Sequence, residues 1–258
     1  MMKKTTIFDY QAQVGLTKHL GGLKSTQALF EGCKIKGGER VLEVGCGVGA
    51  SSVYLASNFG CRVTGIDISE RMIQRARERA QAKKVEHLTN FRPSGMDQLP
   101  FPANTFDVVF CESVLAFSQD KPKALSEMAR VTQPGGFIGI NETVWLQQPD
   151  AAWTAWFAQD MAANASTFEM EAWIHLLEQA GLELVSSHVQ GIEIKDEARG
   201  LLQRYGWLDF LRTIGRSIAM YLQRNDYRQF VAETNKRGVT PGNPQEHLGY
   251  GLMIARKV

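Results

Sequence analysis

The chain has no long tract of one charge sign, no run of about 18 apolar residues, no C-x-x-C pair and no internal repeat. Each absence removes a class of function. Formal net charge is only +2 over 258 residues, with acids and bases interspersed, so nothing resembles a strip that tracks a phosphate backbone, and nucleic acid is not the expected partner. Without an apolar run, no membrane-spanning helix is expected, and "MMKKTTIFDY" lacks the apolar core of an export signal. Four scattered cysteines, Cys33, Cys46, Cys61 and Cys111, suggest neither a disulfide framework nor a metal site, and fit a reduced, cytoplasmic setting.

What is present is a globular composition, 44% hydrophobic and 22% charged, with the alternation of a covered parallel sheet. Short apolar runs predict strands at 41–46, 62–68, 87–93, 106–112 and 136–142. Helical patterns fall at about 49–59, 70–84 and 121–132. In the second, Ile73, Ala76 and Ala80 repeat at helical spacing, and Ser69 is placed to cap it. After the fifth strand the pattern predicts an inserted helix over 146–168, a helix ending at Gly181, a sixth strand at about 182–192, a helical region at 196–236, and a last, antiparallel strand in "GYGLMIARKV". The whole reads as one domain, 1–258, with 146–168 and 196–236 as helical insertions.

The stretch "VLEVGCGVGA", Val41–Ala50, lies between a strand and a helix. Glycines there let the backbone turn tightly and approach a ligand that a Cβ would push away. Gly45, Gly47 and Ala50 make a weak dinucleotide fingerprint. Glu43, two before the first glycine, suits a cationic amine better than a pyrophosphate, which favours S-adenosylmethionine. Asp67, twenty-two positions after Gly45 at the end of the second strand, fits a ribose and does not choose between the two cofactors.

"LPFPANTFDVVFCES" followed by "EMARVTQPGGFIGI" resembles, at matching spacing, small-molecule class I methyltransferases, the group that includes the ubiquinone and menaquinone biosynthesis enzymes. The resemblance covers about 40–145 in detail and implies an α/β, Rossmann-like fold: a seven-stranded, mostly parallel sheet with an antiparallel last strand and helices on both faces. It implies S-adenosylmethionine as cofactor, with Gly45, Cys46, Gly47 and Gly49 around the methionine part and Asp67 on the ribose. It further places Ile68 and Met72 beside the adenine, the Met96 backbone N–H on that ring, and the backbone of Cys111 and Glu112 near the methionine amine or the acceptor. Two departures stand out: Gly95 occupies the place of an acid, with Asp97 two positions late, and Phe117 replaces a histidine found in many relatives.

Methyl transfer from a sulfonium is a displacement for which the protein chiefly positions the acceptor, and a base is needed only if the acceptor arrives protonated. Glu112 and Glu142, each at a strand's carboxyl end, and His19 in "TKHLGG" are the catalytic candidates, with Ser113 and Tyr10 nearby. The N-terminal region and the two insertions are rich in Phe8, Tyr10, Trp145, Trp153, Trp156, Phe157, Met161, Trp207, Phe210, Met220 and Tyr221. Most of these are expected in the core, holding a cap on the sheet; any that line a pocket make the substrate small and largely apolar or aromatic. Arg204, Arg212 and Arg216 read as solvated helix charges, or as a catch for an anionic group. A nucleotide-dependent oxidoreductase and an S-adenosylmethionine-binding protein without catalysis stay open as alternatives. Oligomeric state cannot be read.

Overall fold

A computed structural model describes residues 7–160, 165–192, 194–237 and 240–258. Its centre is a seven-stranded sheet: β1 (Arg40–Val44), β2 (Arg62–Asp67), β3 (Thr89–Pro93), β4 (Phe106–Glu112), β5 (Thr132–Trp145), β6 (Leu182–Gly191) and β7 (Leu248–Lys257). The order is β3-β2-β1-β4-β5-β7-β6. The first five strands run parallel, and β7 enters antiparallel between β5 and β6. The expected fold class and the antiparallel last strand are both present.

Because successive side chains leave a strand on opposite faces, the central strands feed two cores. From β1 and β4, Leu42, Val44, Val109 and Cys111 pack with Leu125, Met128, Trp173 and Leu177, which come from α5 (Lys121–Val131) and α7 (Met170–Gln179). Val41, Val108 and Phe110 face the other way, onto Leu29, Phe30, Leu55, Ile73 and Ala76, from α2 (Gly22–Gly32), α3 (Ala50–Phe59) and α4 (Glu70–Ala82). Each fully buried Leu, Ile or Phe contributes about 1.5–3 kcal/mol. Ser69 caps α4 by accepting the Met72 N–H at 3.3 Å, as its position suggested.

The differences from expectation have local causes. The third strand starts at Thr89 and not at 87, because Lys84, at φ 58°, opens a turn in which the Leu88 N–H bonds the Val85 carbonyl. β5 extends beyond 136–142 at both ends, and its far end pairs with β7 as far as Trp145 with Leu248. The insertion expected as one helix over 146–168 holds only α6 (Ala151–Asp160), started by Asp150, which accepts the Trp153 N–H. Met161 lies outside the described residues. Residues 165–168 are instead tied along β5: Phe168 bridges Val144, and the Trp145 N–H donates to the Phe168 carbonyl at 3.1 Å.

The region expected at 196–236 is two helices, α8 (Ile194–Gln223) and α9 (Asn225–Arg237), with a break inside α8 at Gly206 (φ 76°, ψ 163°). The short α10 (Pro244–His247) leads into β7. Trp145, Trp153 and Phe157 are buried together, but Trp207 and Tyr221, expected in the core, are exposed. Ahead of β1 stand α2 and also α1 (Ile7–Val14), neither of which the sequence pattern had indicated.

Candidate active site

β1 lies between β2 and β4, and the chain leaves it towards opposite edges of the sheet, the arrangement that opens a crevice at the strands' carboxyl ends. A cavity of about 420 Å³ lies there. It gathers Glu43, Gly45, Cys46, Gly47 and Asp67 from the β1 and β2 ends, Met72 from the first turn of α4, Glu112 and Glu142 from β4 and β5, and His19 from the segment between α1 and α2. Four expected residues do not line it. Gly49 starts α3, where a Cβ would stand 2.7 Å from that of Ala76, so its contact is with α4. Ile68 is 78% exposed, Met96 packs on the sheet core, and Cys111 is buried within that core. Asp97 accepts the Ser118 hydroxyl at 3.1 Å.

The glycine turn needs left-handed backbone, with Gly45 at φ 74° and Gly47 at φ 50°. Asp67 holds the turn by accepting the Gly47 N–H at 3.0 Å, and its other oxygen accepts the Ser69 N–H at 2.9 Å. A Cβ on Gly47 would meet the Thr17 methyl at 2.8 Å. Thr17 in turn is clamped by Tyr205 of α8. Its N–H donates to the Tyr205 hydroxyl at 3.0 Å, and that hydroxyl donates to the Thr17 carbonyl at 2.7 Å. Arg79 of α4 lies over the Tyr205 ring and donates to the carbonyls of Val48 and Gly15 and to Asp209. The glycine turn, the 15–17 segment and α8 are thereby one junction.

Three buried glutamates have different surroundings. Glu43 accepts the Ser52 hydroxyl; burial, and then the negative charge of Glu112, push its pKa up to about 8. Glu112 accepts hydroxyls from Thr26 at 2.8 Å and Ser51 at 2.5 Å, with His19 Nε2 3.6 Å away. Burial works to raise its pKa, but His19, Arg204 and the two hydroxyls outweigh burial and hold it below the usual carboxylate value. Glu142 is pushed up to about 7 by burial, although the Thr143 and Ala116 N–H groups donate to its two oxygens at 2.9 and 3.2 Å. His19 is further placed by Thr26, 3.1 Å from Nε2.

Phe8, Phe117, Trp156, Phe157 and Leu248 make the apolar side of the cavity. Two polar atoms in its wall, Ser113 Oγ and Trp156 Nε1, are buried with no hydrogen-bond partner among the described residues. Ser113 holds φ 56°, a left-handed conformation that side-chain-bearing residues adopt rarely and often at functional sites. Arg204, read from the sequence mainly as a solvated charge, lines the cavity and donates to Ser51 Oγ at 2.7 Å. Thr17, Ser51 and Tyr205 escaped the sequence reading altogether. The one available signal was "RYGW", where Gly206 interrupts a helical pattern next to Arg204 and Tyr205.

Residues 42–140 match the family model described as a methyltransferase domain. The chain is 29% identical over 252 residues to 27-O-demethylrifamycin SV methyltransferase of Amycolatopsis mediterranei, covering 96% of this chain and 84% of that one. It is 26% identical over 237 residues to phosphoethanolamine N-methyltransferase 3 of Arabidopsis thaliana, covering 92% of this chain but 46% of the plant protein. The chain thus spans about half the length, or less, of some of the curated relatives it matches. A Geobacter sulfurreducens S-adenosylmethionine-dependent methyltransferase, crystallised with S-adenosylhomocysteine, superposes over the full length of both chains with a TM-score of 0.73 at 19% identity. With its glycine turn, strand-end acids and sheet order, the chain carries a methyltransferase domain over residues 42–140 and has the fold of S-adenosylmethionine-dependent methyltransferases.

Proposed function

We propose that the protein transfers the methyl group of S-adenosylmethionine to a small, largely apolar or aromatic metabolite enclosed by the N-terminal segment and the two helical insertions. The observation that carries this reading is the single cavity wall shared by Gly45, Gly47 and Asp67 at one end and by Phe117, Trp156 and Glu142 at the other. In this reading Gly45, Cys46 and Gly47 wrap the methionine part, Asp67 takes the ribose, and Met72 flanks the adenine. Of the three residues that the resemblance sets beside the adenine, Met72 alone lines the cavity, and Ile68 and Met96 do not. Glu43 and the anionic Glu112 face the cofactor's ammonium, and Arg204 supplies a cation for its carboxylate.

Glu142 is the better of the two strand-end glutamates for the acceptor. His19, Arg204 and the Ser51 and Thr26 hydroxyls hold Glu112 below the usual carboxylate value, so it serves as a fixed charge with His19 as its positioning partner. Glu142 sits beside aromatic groups with a pKa of about 7, suited to taking a proton from an amine or hydroxyl near neutral pH. Ser113 Oγ and Trp156 Nε1–H offer hydrogen bonds to a polar group on an otherwise apolar acceptor. Named relatives act on both kinds of acceptor, a phosphoethanolamine N-methyltransferase and a tocopherol O-methyltransferase among them. The aromatic lining favours the apolar kind, and not a nucleic acid.

The test is methyl transfer from labelled S-adenosylmethionine to fractionated metabolite extracts, beside calorimetry with S-adenosylhomocysteine and NAD. Labelled product in an apolar small-molecule fraction and binding of S-adenosylhomocysteine alone support the reading. Label confined to RNA or protein, or binding of NAD alone, would overturn it.

A further inference from the structure

Helix α8 beyond its break at Gly206 is turned inside out. In water an amphipathic helix buries its apolar stripe and exposes its polar one, but residues 207–223 do the reverse. Four of their polar side chains are spent on the protein. Asp209 pairs with Arg79 of α4, Arg216 and Thr213 donate to the Val14 carbonyl at the end of α1, and Ser217 bonds Tyr10. The outward side carries Trp207, Leu208, Leu211, Ile214, Ile218, Tyr221 and Leu222, seven of the chain's exposed large hydrophobic residues. Trp207 is 62% exposed, Leu208 70% and Leu222 71%. At the α-helical repeat these seven fall within an arc of about 140°.

A continuous apolar stripe of this kind on a soluble surface marks a contact. The charges around it say with what. From Trp207 to Arg228 there are four arginines and two aspartates, a net +2, equal to that of the whole chain, so the excess positive charge is concentrated here. Between α4 and α8 runs a groove of about 460 Å³ lined by Arg71 and Arg75 of α4 and by Arg216 and Arg224; Arg75 pairs with Glu78 and Arg224 with Asp226, and Arg71 is exposed at its side. Burial first, and then the Arg75 and Arg212 charges, depress the pKa of Arg216, with Glu78 and Asp209 working against them.

The positions flanking the 207, 211, 214, 218, 221 seam, among them Leu208, Phe210, Gly215, Ser217 and Leu222, carry no charge of either sign, so nothing there would set the register of a second copy of α8. An anionic lipid surface fits both features. Its headgroups meet the arginines, and its acyl boundary receives the leucines and isoleucines with Trp207 and Tyr221 near the two ends of the stripe, the composition of a helix lying in a membrane interface.

We propose that α8, from Trp207 to Leu222, is a peripheral docking element for an anionic bilayer. No helix among the described residues is long and apolar enough to cross one, and this helix lies on the surface without spanning. Because the preceding turn of α8 carries Arg204 and Tyr205, docking takes place on the same element that closes the cavity.

The experiment is cosedimentation of the whole chain with vesicles of phosphatidylcholine alone and of phosphatidylcholine mixed with phosphatidylglycerol. The wild-type chain should pellet with the anionic vesicles, with affinity at least about tenfold above that for neutral ones and falling with salt. Ile218→Glu with Leu222→Glu should abolish pelleting. Arg71→Gln with Arg212→Gln should erase the preference for anionic lipid. Unchanged S-adenosylhomocysteine affinity in each variant shows that the fold is intact. The proposal is overturned if the wild type stays in solution with anionic vesicles, or if the Ile218/Leu222 variant still pellets. It also fails if light scattering finds a stable dimer that this variant dissolves while vesicles go unbound, which would assign the stripe to a second copy.

Discussion

Replacing Glu43 by Gln should make the protein more stable and less able to hold its cofactor, and the two effects can be separated by pH. The folded-state pKa of about 8 lies above the ordinary 4.5, so between those values the folded chain keeps a proton that the unfolded chain releases. Stability must then fall as pH rises through that window, by about 1.4 kcal/mol per pH unit. The penalty is absent below pH 4.5, is about 3 kcal/mol at pH 7, and levels off near 5 kcal/mol above pH 8. Gln keeps the side chain's shape and can still accept the Ser52 hydroxyl, but it does not titrate. Urea denaturation at pH 5, 7 and 8.5 should therefore show Glu43→Gln drawing steadily ahead of the wild type. Glu142 adds a similar slope to both proteins and cancels in the difference.

Binding should move the other way. If the cofactor's ammonium pairs with ionised Glu43, binding must expel a proton below pH 8, and wild-type affinity for S-adenosylhomocysteine should rise about tenfold per unit from pH 6 to 8. Calorimetry in two buffers of different ionisation enthalpy counts that proton. In Glu43→Gln the proton release should vanish and affinity should fall by about 1.5–3 kcal/mol, the range for a hydrogen bond to a charged group. A stability gap that does not grow between pH 5 and 8.5 would refute the burial argument. Unchanged affinity would remove Glu43 from the cofactor site.

Asp67→Ala should weaken S-adenosylhomocysteine by about 1–3 kcal/mol and also lower the melting temperature, since Asp67 accepts the Gly47 and Ser69 N–H groups; both are read on one sample by calorimetry and thermal denaturation. Once an acceptor is known, kcat/KM should rise with pH through about 7 as Glu142 loses its proton, and Glu142→Gln should flatten that profile with little change in S-adenosylhomocysteine affinity. Tyr205→Phe removes the hydroxyl that clamps Thr17 and should raise the cofactor dissociation rate in stopped flow while costing about 1–2 kcal/mol of stability.

The sheet was legible in the sequence because burial on both faces leaves short, continuous apolar runs, and the turns between them carry glycine or paired charges. "RVLEV" and "FDVVF" could be placed to within a residue or two, and "GYGLMIARKV" stood out as the seventh strand. Helices α1 and α2 were not legible. The first is eight residues long, and the second opens on Gly21 and Gly22, both at positive φ, with no side chain to cap it. Local propensity marks neither; α2 is held by what it packs against, Leu29 and Phe30 lying in the core beside Phe110.

The cap shows why composition could find the pocket's material but not its orientation. Helical spacing places Trp207, Leu211, Ile214 and Ile218 on one stripe, and the ordinary inference is that such a stripe faces inward. Here the inward position is taken by Asp209, Thr213, Arg216 and Ser217, because what they meet is not apolar: α1 ends on the carbonyls of Ala12, Gln13, Val14 and Gly15, which need donors. Arg75 supplies the first two, Arg216 and Thr213 the third, and Arg79 the last. A polar helix end thus draws the polar face of α8 towards the protein and leaves the apolar face to the outside. The same choice brings Tyr205 over Thr17 and Arg204 into the cavity. Both the closure of the site and the exposure of the stripe thus accompany the turning of α8's polar side towards the Val14 carbonyl, Tyr10 and Arg79.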